Sequence, residues 1–416
     1  MRPDGRGIVR IQPIYLGLHH YSEVYGSVCS ADVKGTPPMP KVPPERLRES
    51  ASQMVSEFTS EVDLDFVEVK DPIVVSRHSE LRTIKKRIDL DTDAMLVRSL
   101  GAVPLEMETL SKLGLPVARP QESFLRGLRA KKFLSESKFL YIGEIPSFSA
   151  PKGPYDFRLI QDRLGTRFRH IETNEFYRVF DRIEDRDVSA ELDRWRKDFD
   201  RVIEPDRAEL ENAARTYLAL RRLCEREDAN GVTINCGRFT EERPIVPCMA
   251  FNRLIDEGTM CACEGDITAM LSSLLLHAVS ERAVTMGNFR IREEQGDVFI
   301  EHDLMPLSLA SSKYTVRDYH GRKFGVTAYA EMAPGTPVTL LNMEESLSRL
   351  FVAQGKVKGT EDGIHCREIV YIELEGDLGR IRESLVGSQH MSVTSGHWID
   401  AVRDAAKLLD MEVRSI

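Results

Sequence analysis

The chain of 416 residues has no apolar run near the roughly 18 to 20 residues that a bilayer-crossing helix needs, so no membrane span is expected. It has no surplus of basic residues. Its 57 Lys and Arg stand against 66 Asp and Glu, for a net charge of -9, which argues against nucleic acid as a main partner because phosphate binding needs concentrated cations. Cysteine is scarce and scattered, with seven in all. The one close pair, Cys261-Ala262-Cys263, is too tightly spaced for half a zinc finger and has no second pair to join. Both thiols read as core residues of a buried strand. The opening MRPDGRGIVRIQPIYLG lacks the long apolar segment of a secretory signal and reads as a first strand, so reduced thiols in a cytoplasmic protein are the expectation. The first 135 or so residues hold neither GxGxxG nor GxxxxGK[ST], and no nucleotide site is expected there. Repeats and low-complexity tracts are absent.

What is present is an ordinary globular composition, 42% hydrophobic and 30% charged, long enough for two or three domains. Candidate strands at 8–17, 65–69, 93–98 and 116–119 alternate with candidate helices at 45–58, 80–88, 105–113 and 122–134. That alternation predicts an open, mostly parallel α/β domain over residues 1–136. Gly35 to Pro44 reads as a proline-rich loop. The basic run Arg126, Arg129, Lys131 and Lys132 reads as a solvated helix face. A second α/β domain is expected over 137–282. It opens on the apolar run 139–145, continues through two amphipathic helices between Asp187 and Glu227 broken near Pro205, and includes strands at 232–236 and 260–263. Beyond 283 short runs follow one another at 283–291, 297–302, 326–332, 337–342 and 368–374, with turn residues between them. They predict a mostly antiparallel, barrel-like domain over 283–416, decorated by helices near 377–385 and 397–409.

The stretch 247–306 carries the most chemistry. A short apolar strand ends at Glu264-Gly265-Asp266, and an apolar repeat at helical spacing follows from Ile267 to Leu275. Carboxylates at the carboxyl edge of a strand lie where α/β folds bind ligands. Hard divalent cations such as Mg²⁺ and Mn²⁺ take carboxylate oxygens, and Mn²⁺ also accepts imidazole. Asp266 can equally serve as N-cap of the helix. The strand 297–302 delivers Glu301-His302-Asp303, and Gly387-Ser388-Gln389-His390 places another imidazole in a Gly/Ser-rich loop. Glu241 and Glu242 can supply a third carboxylate, and Cys236 can line the pocket. Of His19 and His20, adjacent on an extended chain, at most one faces any site. His277, on the apolar helix, reads as a satisfied core histidine.

Taken together, PCMAFNRLIDEGTMCACEGDITAMLSSLL, VFIEHDLMPLSLA, GVTAYAEMAPGTPVTLLNM and GSQHMSV resemble the L-fucose/L-arabinose isomerase family, most clearly over residues 230–416. The resemblance implies two α/β domains followed by a β domain. It implies Glu264, Asp266 and His390 as metal ligands or acid–base groups, with His302 as a further ligand, and Mn²⁺ or Mg²⁺ as cofactor. It also implies a sugar substrate and a homo-oligomer, trimer or hexamer. Two departures stand out. The family's upstream catalytic Glu is replaced at the strand end by Asn235-Cys236-Gly237, leaving Glu242 as the nearest acid. Its His-Cys pair reads His302-Asp303. The expected reaction is a metal-dependent aldose–ketose isomerisation of a pentose, deoxyhexose or modified sugar through an enediolate, with Glu264 or Glu242 as base. The alternatives are a lyase, epimerase or decarboxylase sharing that intermediate, and a sugar-binding protein without catalysis.

Overall fold

The computed structural model describes residues 5–17, 43–76, 78–100, 104–145 and 152–416. His19, His20 and most of the proline-rich loop lie outside them. The described residues pack as two compact units, Gly7–Lys132 and Phe133–Ile416, the latter joined by Gly5 and Arg6.

In the first unit β1 (Val9–Leu16) is the central strand. β2 (Val67–Val69) and β3 (Ile73–Val75) pair with successive parts of one edge, and β4 (Ala94–Ser99) runs along the other, all parallel. The pleat sends alternate residues of β1 to opposite faces. Ile14 and Leu16 pack with Ile73, Val75 and Met95, whereas Tyr15 packs with Leu47, Ala51 and Met54 of the helix Pro44–Glu61. The segment expected as a strand at 116–119 forms a single bridge, Met95 to Val117. The basic run is not a solvated face throughout: Arg129 is buried over the Phe66 ring, and Lys132 pairs with Asp93.

In the second unit β5 (Lys138–Ile142), β6 (Arg167–Ile171), β8 (Gly231–Ile234) and β9 (Met260–Ala262) form a parallel sheet in the order β6-β5-β8-β9. The helix Arg207–Glu227 begins at a capping box on Asp206 and Glu209. Between it and the helix Asp185–Trp195 lies β7 (Phe199–Val202), so the break expected near Pro205 holds a strand as well. The helix Ile267–Ser280 is buried at every position, polar residues such as Thr268, Ser272 and Ser273 included.

That helix links the sheet to a second architecture. β10 (Thr285–Arg292), β11 (Asp297–His302), β14 (Pro337–Met343), β15 (Arg349–Asp362), β16 (Glu368–Leu374) and β17 (His390–Ser395) follow the order β14-β17-β10-β11-β16-β15, and β15 pairs back to β14. Every pairing in this ring is antiparallel, so it is a closed six-stranded barrel without a free edge. β18 (Glu412–Arg414) adds in parallel to β15. β12 (Tyr314–Arg317) pairs with β13 (Thr327–Tyr329) and, in parallel, with β7. The expected fold class, parallel-sheet α/β regions followed by a C-terminal antiparallel barrel, is the one observed. Ser273 on the buried helix meets Ser392 of β17 at 3.0 Å, and Ser272 accepts the Met343 N–H, so helix and barrel are joined by buried polar contacts as well as apolar ones. No helix among the described residues is long and apolar enough to cross a membrane.

Candidate functional site

The turn between β9 and the buried helix builds one side of the site. Glu264 and Gly265 both adopt left-handed backbone, with φ of 60° and 65°. For Glu264 this conformation is sparsely populated, and strain of this kind gathers where a side chain must be aimed. A Cβ on Gly265 would lie 2.7 Å from the Tyr141 hydroxyl, so glycine is required by space as well as by φ. Gly265 N–H bonds the Ile234 carbonyl, which holds the turn against the end of β8.

Asp266 follows as the N-cap. One oxygen accepts the Ala269 N–H at 2.8 Å and the Thr268 hydroxyl at 2.7 Å; the other accepts from His390 Nδ1 at 2.8 Å. Asp266 and His390 are both fully buried. Asp266 therefore caps the helix and stands outside the group of donors formed by Glu264, His302 and His390. Its second oxygen turns the His390 ring so that Nδ1 carries the proton and the Nε2 lone pair is free.

The barrel supplies the other side. β10 lies between β11 and β17, which puts His302, the last residue of β11, and His390, the first of β17, at the same end of the barrel. Their rings meet edge to face, 5.5 Å between centroids. His302 Nε2 lies 3.8 Å from Glu264 Oε1, and His390 Nε2 lies 3.8 Å from Glu264 Oε2. One ligand atom from each of Glu264, His302 and His390 falls within 4.8 Å of the other two, the spacing of donors around a single cation. His390 Nε2 is buried with no hydrogen-bond partner, as expected of an atom kept free for a metal. The donor set and the unpartnered nitrogen fit a divalent ion.

Glu264 is the most exposed member of the group, with a side chain 37% accessible. The nearby His302 imidazole, and after it His390 and Lys152, hold its carboxyl well below the usual carboxylate range, against the upward push of burial. Lys152 ion-pairs with Glu264 Oε2, and its carbonyl accepts the Ile267 N–H at the start of the buried helix. Tyr155 stands nearby, its hydroxyl pushed up to about 12, by burial first and then by Asp266 and Glu345. Neither residue is singled out by sequence reasoning. The only local signal is a lysine among prolines and glycines shortly after a parallel strand, where the chain crosses the sheet's carboxyl edge.

Other candidates go elsewhere. The strand at 232–236 stops at Ile234, and Cys236 already starts the helix Cys236–Glu242. The rise of a helix, roughly 1.5 Å per residue, carries Glu242 away from the strand end. Its carboxylate accepts from the Tyr177 hydroxyl at 3.1 Å and lines a cavity of about 330 Å³ with Glu144, His170, Glu172 and Asn174. Burial first, then Cys248 and Glu264, push the Cys236 thiol up to about 12, so it stays neutral beside the site. Asp303 is turned away and accepts from His320 Nε2 and the Arg367 N–H, both at 2.8 Å. Glu301 pairs with Arg290. His277 Nδ1 bonds the Arg282 carbonyl, as a core histidine does.

Residues 159–281, which include β6, β8, β9, Glu264 and Asp266, match the family model of the L-arabinose isomerase central domain. Over these residues the chain is similar to the L-arabinose isomerase central domain. No curated protein matches the chain. The matched stretch includes the turn that presents Glu264, so the similarity covers one side of the site.

Proposed function

We propose that this isomerase-family chain is a divalent-metal-dependent aldose–ketose isomerase acting on a pentose, a deoxyhexose or a modified sugar. The observation that carries the reading is the convergence of Glu264, His302 and His390, from three distant segments, within the same chain as an arabinose isomerase central domain. Two imidazoles and one carboxylate favour Mn²⁺ over Mg²⁺, which prefers an all-oxygen shell. A bound divalent ion supplies Lewis acidity, stabilising the charge that develops on two neighbouring sugar oxygens.

The chain's own residues do the rest. Glu264 is ionised and open to solvent on one side, so it faces an incoming diol. Asp266 fixes the His390 tautomer. The Lys152 ammonium, paired with Glu264, places a positive charge beside the same opening, where it can offset enediolate charge without reorganising. A homo-oligomer is part of the same proposal, and sedimentation measures it.

A second reading is favoured by the end of β8, where Asn235 rather than a carboxylate stands and donates to the Glu144 carbonyl at 3.1 Å. That change suits another reaction through the same enediolate, such as a lyase, epimerase or decarboxylase acting on a sugar acid. Incubation with a panel of pentoses, 6-deoxyhexoses and sugar acids, with Mn²⁺ and with EDTA, separates the outcomes. Ketose formation lost on chelation and restored by Mn²⁺ supports isomerisation. Unchanged turnover in EDTA overturns the metal's role, and binding without turnover leaves a sugar-binding protein.

A further inference from the structure

The two imidazoles of the site are served unequally. His390 has Asp266 on its Nδ1, whereas His302 Nδ1 is buried with no hydrogen-bond partner. Directly opposite His302 in the β11–β16 ladder stands Glu368. Residues directly opposite in an antiparallel pair share a face, and here both line the same small cavity inside the barrel. Glu368 is a buried carboxyl among apolar neighbours such as Ile300, Met332 and Val370. Its Oε2 accepts the Ala330 N–H at 3.1 Å, and its Oε1 is buried without a partner. Thr285, whose hydroxyl donates to the Leu304 carbonyl and keeps its lone pairs, lines the same cavity. The cavity measures about 10 Å³, near the volume swept by a single water-sized sphere. Two polar atoms lacking partners and a hydroxyl acceptor around such a void are the setting in which a buried water is held.

We propose that Glu368 is the positioning residue of His302. Its Oε1 receives the His302 Nδ1–H through one water in the barrel cavity, fixing the Nε2 lone pair toward Glu264. The inference rests on the metal reading above only in taking Nε2 as a ligand. It gives the two histidines matching supports, a carboxyl behind each ring, one direct and one water-bridged. Outer partners of this kind set a ligand's tautomer and orientation. A carboxyl needed merely to cap the Ala330 N–H uses one oxygen and has no bearing on the imidazole.

The test uses the full chain with Mn²⁺ alone as probe, bound ion being read by electron paramagnetic resonance. In parallel, ¹⁵N-histidine spectra of the metal-free protein are recorded, with His302→Asn assigning the His302 signal. The expected results are a His302 resonance of the Nδ1–H tautomer in the parent, a shift toward the other tautomer in Glu368→Leu, and Mn²⁺ affinity lowered roughly ten- to hundredfold in that variant. Glu368→Gln has one acceptor oxygen for two demands, the Ala330 N–H and the water, so its affinity falls between those of the parent and Glu368→Leu. A folded Glu368→Leu with parental affinity and an unchanged tautomer overturns the proposal. So does an Nε2–H tautomer in the unmutated protein, a result that needs no variant to fold. If the parent binds no Mn²⁺, the metal reading fails, while the tautomer comparison still decides the role of Glu368.

Discussion

Replacing Asp266 by Asn or by Ala separates two duties that its carboxylate performs at once. One oxygen caps the buried helix and the other holds His390 Nδ1 at 2.8 Å, all in the absence of solvent. Asp266→Ala removes the cap, worth about 1 kcal/mol, and leaves a buried imidazole N–H unpaired, worth about 1–3 kcal/mol. The expected loss of stability is therefore about 2–4 kcal/mol. Asp266→Asn keeps an acceptor for the Ala269 N–H but presents an N–H₂ donor to Nδ1. The ring must then give up its Nδ1 proton, and Nε2 carries a hydrogen where a lone pair is needed. Its stability cost is expected to be only about 1 kcal/mol, while Mn²⁺ affinity falls roughly ten- to hundredfold. Both tryptophans, Trp195 and Trp398, belong to the unit that contains the site, so urea unfolding followed by tryptophan fluorescence reports this unit without the other. Folded Asp266→Asn that binds Mn²⁺ as tightly as the parent refutes the tautomer argument. Asp266→Ala that costs under about 1 kcal/mol refutes the double role.

Three further outcomes are expected. Lys152→Ala removes an ammonium that shares Glu264 Oε2, and for a partly exposed pair the gain in Mn²⁺ affinity is about 0.5–1 kcal/mol, roughly two- to fivefold by titration; a loss of affinity contradicts competition between the two cations. Gly265→Ala must hold an L residue at φ 65° and push the Tyr141 hydroxyl back, for about 1–3 kcal/mol by urea unfolding; no measurable cost contradicts the tight approach. Asp297 is buried and accepts from Arg292 at 2.7 and 2.8 Å and from Lys358 at 2.5 Å; burial pushes its carboxyl upward, but these cations hold it below the ordinary value. Its folded-state value lies under the unfolded one, so its contribution is complete above about pH 4 and is lost as pH falls further. Stability curves for the parent and Asp297→Asn are therefore expected to differ at pH 7 and to converge in acid; a gap that does not depend on pH rejects this.

Legibility in the sequence followed the length and purity of each pattern. β11 and β16, short apolar runs set between polar residues, were readable to the residue, and the buried helix after Asp266 announced itself by its apolar repeat. β15 was not, because RLFVAQGKVKGTED mixes glycine and lysine into a strand whose pairing with β14, β16 and β18 settles its state. β17 resembled a Gly/Ser-rich loop, yet ladders on both sides make it a barrel strand. Between 157 and 180 two short helices and β6 passed unread, each too brief for periodicity to decide. At the site, Glu264 and His302 stood out by residue type at strand ends, and His390 through the resemblance carried by GSQHMSV. Glu242 was drawn in by nearness along the chain, which a helix undoes. Lys152 and Glu368 gave almost no signal, because one lies 112 positions from its partner and the other gains meaning only from the residue across the ladder.

The hydrogen bond from His390 to Asp266 spans 124 positions. The second imidazole therefore enters on β17, after every other strand of the barrel ring has been made. A ribosome must release the chain past about residue 395 before the pocket can exist at all. Until then the β9 turn waits with its acids unmatched, and any shortened product ending upstream of β17 lacks at least one of the three side chains that would grip an ion, however well its parallel sheet has formed.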